Sequence, residues 1–221
     1  MKRAVAALVS LALGVAGLAA CGSPGGDAAV DAGELPTTGY RREPAPDVGG
    51  FQLPDLSNGG DPFPLQAEPD GLLVVYFGYT NCPDFCPTTM SDLRIAQNRI
   101  AEERPELGDR ISEAMITVDP GRDLPVLDEY VSSFFADGHA LGTEDPVALA
   151  QVAEPFGVGY SVTPADESES GDIEVAHTTS LYAVDDAGSL VLTWQFGVSI
   201  DDLTEDLLYL LDETSATVAA P

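Results

Sequence analysis

Leu72-Leu73-Val74-Val75-Tyr76-Phe77, bounded by Gly71 and Gly78, leads through Tyr79-Thr80-Asn81-Cys82-Pro83-Asp84-Phe85-Cys86-Pro87 into residues 88–103. A continuous apolar, partly β-branched run between two glycines predicts a strand buried on both faces at the centre of a sheet. Beyond the cysteines, Met90, Leu93, Ile95, Ala96 and Ile100 recur at helical spacing over 88–103, and Pro105 closes that helix. A strand, a cysteine loop and a helix in this order put two sulfurs at the carboxyl end of a sheet, where α/β proteins place their sites.

Downstream, a strand at 114–118 ends at Asp119-Pro120, and 124–135 and 146–156 read as helices, the second with Asp145 or Thr143 near a cap position. Residues 165–172 form a polar, acidic loop. His177 then precedes a strand at 178–184, and the turn Asp185-Asp186-Ala187-Gly188 returns the chain along 190–196, predicting a β-hairpin. An amphipathic helix at 201–211 ends the pattern. Upstream, Phe51-Gln52-Leu53 begins a short strand and Asn58-Gly59-Gly60-Asp61-Pro62 is a turn cluster. There are no internal repeats. The expectation is one α/β domain over 47–214 with a thioredoxin-like fold: a central mixed sheet flanked by helices, closed by a hairpin and a C-terminal helix.

At the other end of the chain, Met1-Lys2-Arg3 and the uncharged run 4–20 form the pattern of a secretory signal peptide, too short to be more than a marginal membrane span. It ends Leu18-Ala19-Ala20-Cys21-Gly22, which resembles the bacterial lipoprotein box, so Cys21 is expected to carry a diacylglycerol on the outer face of the cytoplasmic membrane. The alternatives are an ordinary signal peptide with Cys21 left as a thiol, or an uncleaved anchor helix. Residues 21–46, rich in Gly, Pro, Ala and Asp, read as a flexible tether, and 215–221 as a tail.

The 221 residues carry 37 acidic against 9 basic side chains, a formal net charge of −28. Such a field excludes nucleic acid as a partner and favours cations, metal ions included, although it also serves solubility.

Four-residue spacing brings Cys82 and Cys86 onto one side of a first helical turn, close enough to form a disulfide or to clamp one metal ion. A structural disulfide is the plainer reading, but a ring this short removes little unfolded-state entropy. With Cys21 assigned to lipid, only two of the three cysteines remain, so tetrahedral zinc lacks sulfur ligands. Of the two histidines, His139 sits between Gly138 and Ala140 in a loop and reads as structural or exposed, whereas the loop before the 178–184 strand faces the strand–helix junction in thioredoxin-like folds. Cys82, Cys86 and His177 then form a soft donor set that suits Cu(I) through its thiolates and Cu(II) through its imidazole. Asp119 reads either as a turn residue before Pro120 or as a carboxylate supporting the site, and Tyr79 and Phe85 as packing around the loop.

Three blocks together resemble the Sco/SenC copper chaperones: 77–89 with its two cysteines, Thr117-Val118-Asp119-Pro120-Gly121-Arg122-Asp123, and His177-Thr178-Thr179 before a strand and an Asp-rich turn. The resemblance spans about residues 51–211. It implies copper held by Cys82, Cys86 and His177 and a role in assembling the dinuclear copper centre of cytochrome c oxidase, with the copper-bearing oxidase subunit as partner. Two positions depart from the pattern: Asn81 stands where many relatives have histidine, and Ala176 where many have an acidic residue. The rival function is a thiol-disulfide oxidoreductase acting on the cysteines of a copper-site target. Oxidoreductases of this fold usually space their cysteines by two residues, and the extra residue here favours metal.

Overall fold

The structure is a computed structural model that describes residues 37–218. The expected signal peptide 1–20, Cys21 and the expected tether up to residue 36 lie outside the described residues. Five strands in two groups build the middle of the main sheet. β3 (Leu72–Gly78), β4 (Ile111–Thr117) and β5 (His139–Leu141) run parallel, and β8 (Leu181–Val184) and β9 (Leu190–Trp194) add an antiparallel hairpin beside β3. β1 (Gln52–Asp55) and β2 (Asp61–Pro64) extend the other edge, giving the order β2-β1-β5-β4-β3-β8-β9. A separate two-stranded hairpin joins β6 (Tyr160–Thr163) to β7 (Glu174–His177).

β3 is buried at every position because its alternating side chains feed two apolar layers. Leu72, Val74 and Tyr76 pack with α1 (Phe85–Glu103) and α6 (Ile200–Val218); Leu73, Val75 and Phe77 pack with α5 (Pro146–Phe156). α1 turns Cys86, Met90, Leu93, Ala96 and Ile100 inward, the stripe that a 3.6-residue period produces. This is the thioredoxin-like arrangement that the sequence predicts, with helices on both faces of a mixed sheet.

Several boundaries differ from expectation, each for an identifiable reason. α1 starts at Phe85 instead of Thr88, because Pro87 falls in the first turn, where its missing N–H costs no helical bond. Pro105 both ends α1 and opens the short α2 (Pro105–Gly108). The helix expected over 124–135 is shortened to α4 (Leu127–Ser132) and is preceded by the separate short α3 (Pro120–Asp123), since Pro125 removes a donor from the ladder between them. Asp61 and Pro62 belong to β2 and not to the turn, which Gly59 and Gly60 complete alone at φ 67° and 87°. β2 is an edge strand, where proline is tolerated. α6 runs on to Val218, through residues read as tail.

The segment 37–46, read as tether, is built into the domain. Tyr40 exchanges backbone hydrogen bonds with Thr193 at 3.0 Å each way, and the Leu190 amide donates to the Pro46 carbonyl. Buried Asp206 accepts from the amides of Thr38 and Gly39 and from Trp194 Nε1 at 2.7 Å. Gly39 admits this approach, for a Cβ there would lie 2.7 Å from Leu192. Composition alone reads as linker because the partners of these polar groups lie more than 140 residues away. Among the described residues no helix is long and apolar enough to cross a membrane.

Candidate metal centre

Cys82 lies in the loop that leaves β3, and Cys86 in the first turn of α1. The Asp84 side chain does not cap the helix; instead the Cys86 amide donates to Cys82 Sγ at 3.3 Å. A helix start thus directs a backbone donor at sulfur, which favours the thiolate. Both thiols are unbridged, Cys86 fully buried and Cys82 7% exposed.

His177 is the last residue of β7, paired with Tyr160, and not the lead-in to β8. Its hairpin leaves no sequence signal because the short strands bury no position fully around the acidic loop and carry no apolar run. The placement is the one the topology argument required: Nε2 stands 3.6 Å from Cys86 Sγ. Nδ1 lies 2.8 Å from the Thr178 carbonyl, so that nitrogen carries the proton and donates it, leaving the Nε2 lone pair aimed at sulfur. Burial lowers the imidazole pKa and keeps the ring neutral, the form that binds metals.

The two thiols differ. Burial acts to raise Cys82, but hydrogen bonds from the backbone of Cys86 and Asp84 and the side chains of Cys86 and Tyr79 outweigh it, and the net displacement is downward. At Cys86 burial dominates and the thiol is pushed up to about 12, although the neighbouring Tyr76 hydroxyl acts in the other direction. Brief iodoacetamide treatment of the reduced native protein at neutral pH is therefore expected to alkylate Cys82 at least roughly tenfold faster than Cys86. Peptide mapping by mass spectrometry reads this, and equal labelling would contradict the asymmetry.

The rings of Tyr76 and Tyr79 stand nearly perpendicular to that of His177, at centroid distances of 6.1 and 5.6 Å. Tyr76, placed by strand alternation on the face that meets α1, buries its hydroxyl beside Cys86. The sequence reading took it only as part of an apolar strand.

Asp119 lies buried just beyond β4. Its carboxylate pairs with Arg122, and its amide donates to Thr117 Oγ1. The carboxylate that shapes the site is Asp123, fully buried, which accepts from the Thr80 amide at 3.0 Å and from the hydroxyls of Thr80 and Thr117 at 2.6 Å. These bonds pin the cysteine loop to the end of β4. The register Gly78↔Thr117 between adjacent parallel strands is the signal that joins these residues, and it is invisible without the pairing.

The departures at Asn81 and Ala176 leave the geometry intact. Asn81 is exposed, and Ala176 points to the opposite face of β7 from His177, whose Nδ1 is held by the Thr178 carbonyl instead. His139 is not in a loop: it opens β5, with Nδ1 2.8 Å from Asp55 Oδ2 and its ring 3.9 Å from Phe63, a structural role remote from the thiols. Phe85 does not pack around the loop; it is 51% exposed.

Among the described residues no three His, Cys, Asp or Glu side chains are already closed into a metal cage. The donor set nevertheless fits a soft ion. Metal–sulfur and metal–nitrogen bonds of about 2.3 and 2.0 Å place two ligands of one ion roughly 3.5–3.8 Å apart, and Cys86 Sγ and His177 Nε2 stand at that separation.

A model of the SCO1/SenC family matches residues 46–212. The chain is 30% identical over 161 residues to a putative copper-binding protein of Stutzerimonas stutzeri, covering 73% of this chain and 76% of that one. It is 34% identical over 149 residues to the mitochondrial protein SCO1 of Saccharomyces cerevisiae, covering 66% of this chain and 48% of the yeast protein, about half its length. Among solved structures it is similar to apo Sco1 from Thermus thermophilus, with a TM-score of 0.65 and 30% identity over 79% of this chain and 96% of that one. It is also similar to copper-bound ScoI from Arabidopsis thaliana, with a TM-score of 0.64 and 27% identity over 75% and 99% of the two chains.

Proposed function

The chain belongs to the SCO1/SenC family, and from that premise we propose that it is an extracytoplasmic copper carrier that holds the metal through Cys82, Cys86 and His177 and passes it to the copper-bearing subunit of cytochrome c oxidase. The observation that carries this reading is the unprotonated Nε2 of His177 directed at Cys86 Sγ, with Cys82 Sγ on the Cys86 amide. Two thiolates are ligands for Cu(I); the imidazole lets the same site keep Cu(II). The copper bound to the similar Arabidopsis ScoI and the name of the Stutzerimonas relative support the choice of metal. Lipid on Cys21 anchors the carrier to the outer face of the cytoplasmic membrane in this reading, beside a membrane-bound acceptor.

One observation favours a second reading. A lowered thiol next to a raised one is also the arrangement of an attacking and a resolving cysteine in a thiol-disulfide oxidoreductase. The two functions separate on reconstitution of the reduced protein. The carrier is expected to take up one copper per chain by elemental analysis, with a sulfur-to-copper absorption band, and to take up none there once Cys82 and Cys86 are oxidised to a disulfide. Protein that retains no copper yet rapidly reduces protein disulfides would establish the oxidoreductase instead.

A further inference from the structure

Phe85 is 51% exposed and Phe196 44% exposed, and their rings meet edge to face with centroids 4.8 Å apart. They come from distant segments: Phe85 lies between the two cysteines at the start of α1, and Phe196 in the turn from β9 to α6. Solvent-exposed aromatic rings gathered in this way are characteristic of contact surfaces, where aromatic anchors supply a large share of binding energy. Grooves of about 140 and 330 Å³ flank the Phe196 turn, floored by Leu181 and Leu203 on one side and by Tyr40 and Trp194 on the other. Their lining includes Asp92 and no Lys or Arg, and exposed Asp84 adjoins Phe85.

The geometry points to the Phe85–Phe196 pair and its grooves as the docking surface for the metal-accepting protein, which presents an apolar patch bordered by Lys or Arg side chains. This rests on the delivery reading above. Phe85 is bonded to Cys86, so a protein that takes metal from the thiols must seat beside this ring. Charge complementarity selects the occupant. A second copy of the chain, at a net charge of −28, brings another acidic rim to this face, and an anionic lipid surface is repelled in the same way.

The test uses Phe85→Ser, Phe196→Ser and the double variant, all exposed positions where folding is tolerant, loaded with copper. The probes are the soluble copper-binding domain of the oxidase subunit from the same organism and a small copper chelator that needs no docking. Binding of the domain is followed by calorimetry at low and high salt, and copper transfer to each probe by absorption. Wild-type protein is expected to bind the domain, more weakly at high salt. The double variant is expected to bind it at least roughly tenfold more weakly and to transfer copper to it correspondingly more slowly, while giving copper to the chelator at the wild-type rate. Domain binding and transfer by the double variant at wild-type levels would overturn the inference, as would a wild-type protein that does not bind the domain. So would substitutions that abolish only self-association or vesicle binding. If the wild type binds the domain through this surface but no copper moves, the docking surface stands and the delivery reading fails.

Discussion

The His177→Ala variant is expected to keep Cu(I) and to lose a stable Cu(II) site. Cu(I) is satisfied by two thiolates, and the loop that holds Cys82 and Cys86 is organised by the Asp123 bonds to Thr80 and by the start of α1, neither of which involves His177. Affinity should fall by at least about tenfold, or ~1.4 kcal/mol, because one of three donors is gone. Cu(II) prefers tetragonal nitrogen and oxygen coordination and is reduced by thiolates that lack such support, so its charge-transfer band should collapse. Chelator competition measures the first effect and absorption spectroscopy the second. His139→Ala is the control: His139 is tied to Asp55 and stacked on Phe63, so its loss costs stability and leaves both copper states in place. A His139→Ala protein that loses the Cu(II) band, beside a His177→Ala protein that keeps it, would refute the ligand assignment.

Glu113→Gln is expected to change the dependence of stability on pH. Glu113 stands on β4 opposite Val74, 5% exposed, and its Oε1 has no hydrogen-bond partner. Burial pushes its carboxyl up to about 8 from 4.5; its own amide opposes this and the charge of Asp137 adds to it. Between these values the folded state binds a proton that the unfolded state has released, so stability is fully present below about pH 4.5 and is lost as pH rises to about 8. At 1.36 kcal/mol per pKa unit, the loss is on the order of a few kcal/mol. Glutamine mimics the protonated carboxyl and carries no such cost. Urea titrations at pH 5 and pH 8 should show the wild type losing ground to the variant at the higher pH. Parallel pH profiles would mean that the Glu113 carboxylate finds a partner in the folded protein.

How far the sequence was legible follows from the range of each interaction. The β3 run, the α1 stripe and the α5 boundaries depend on neighbours a few residues apart, and period and capping expose them directly: Pro146–Phe156 begins after Asp145, whose carboxylate caps the amides of Val147 and Ala148. Interactions beyond this range leave no such mark: the hold of Asp123 on the cysteine loop, the docking of 37–46 against β9, the pairing of β6 with β7 and the exposure of Phe85 are set by residues distant in the chain.

By itself the sequence determined the thioredoxin-like class and the family resemblance and singled out Cys82, Cys86 and His177 as candidate donors, because hydrophobic period, cysteine spacing and motif order are local properties of the chain. Only the tertiary structure decided which nitrogen of His177 faces sulfur, why Cys82 and Cys86 differ as acids, which aspartate holds the loop, and that two exposed phenylalanines meet at its edge. They depend on contacts between separate segments, such as His177 with Cys86, Thr80 with Asp123 and Phe85 with Phe196, where burial and hydrogen-bond geometry, and not residue type, set protonation and exposure.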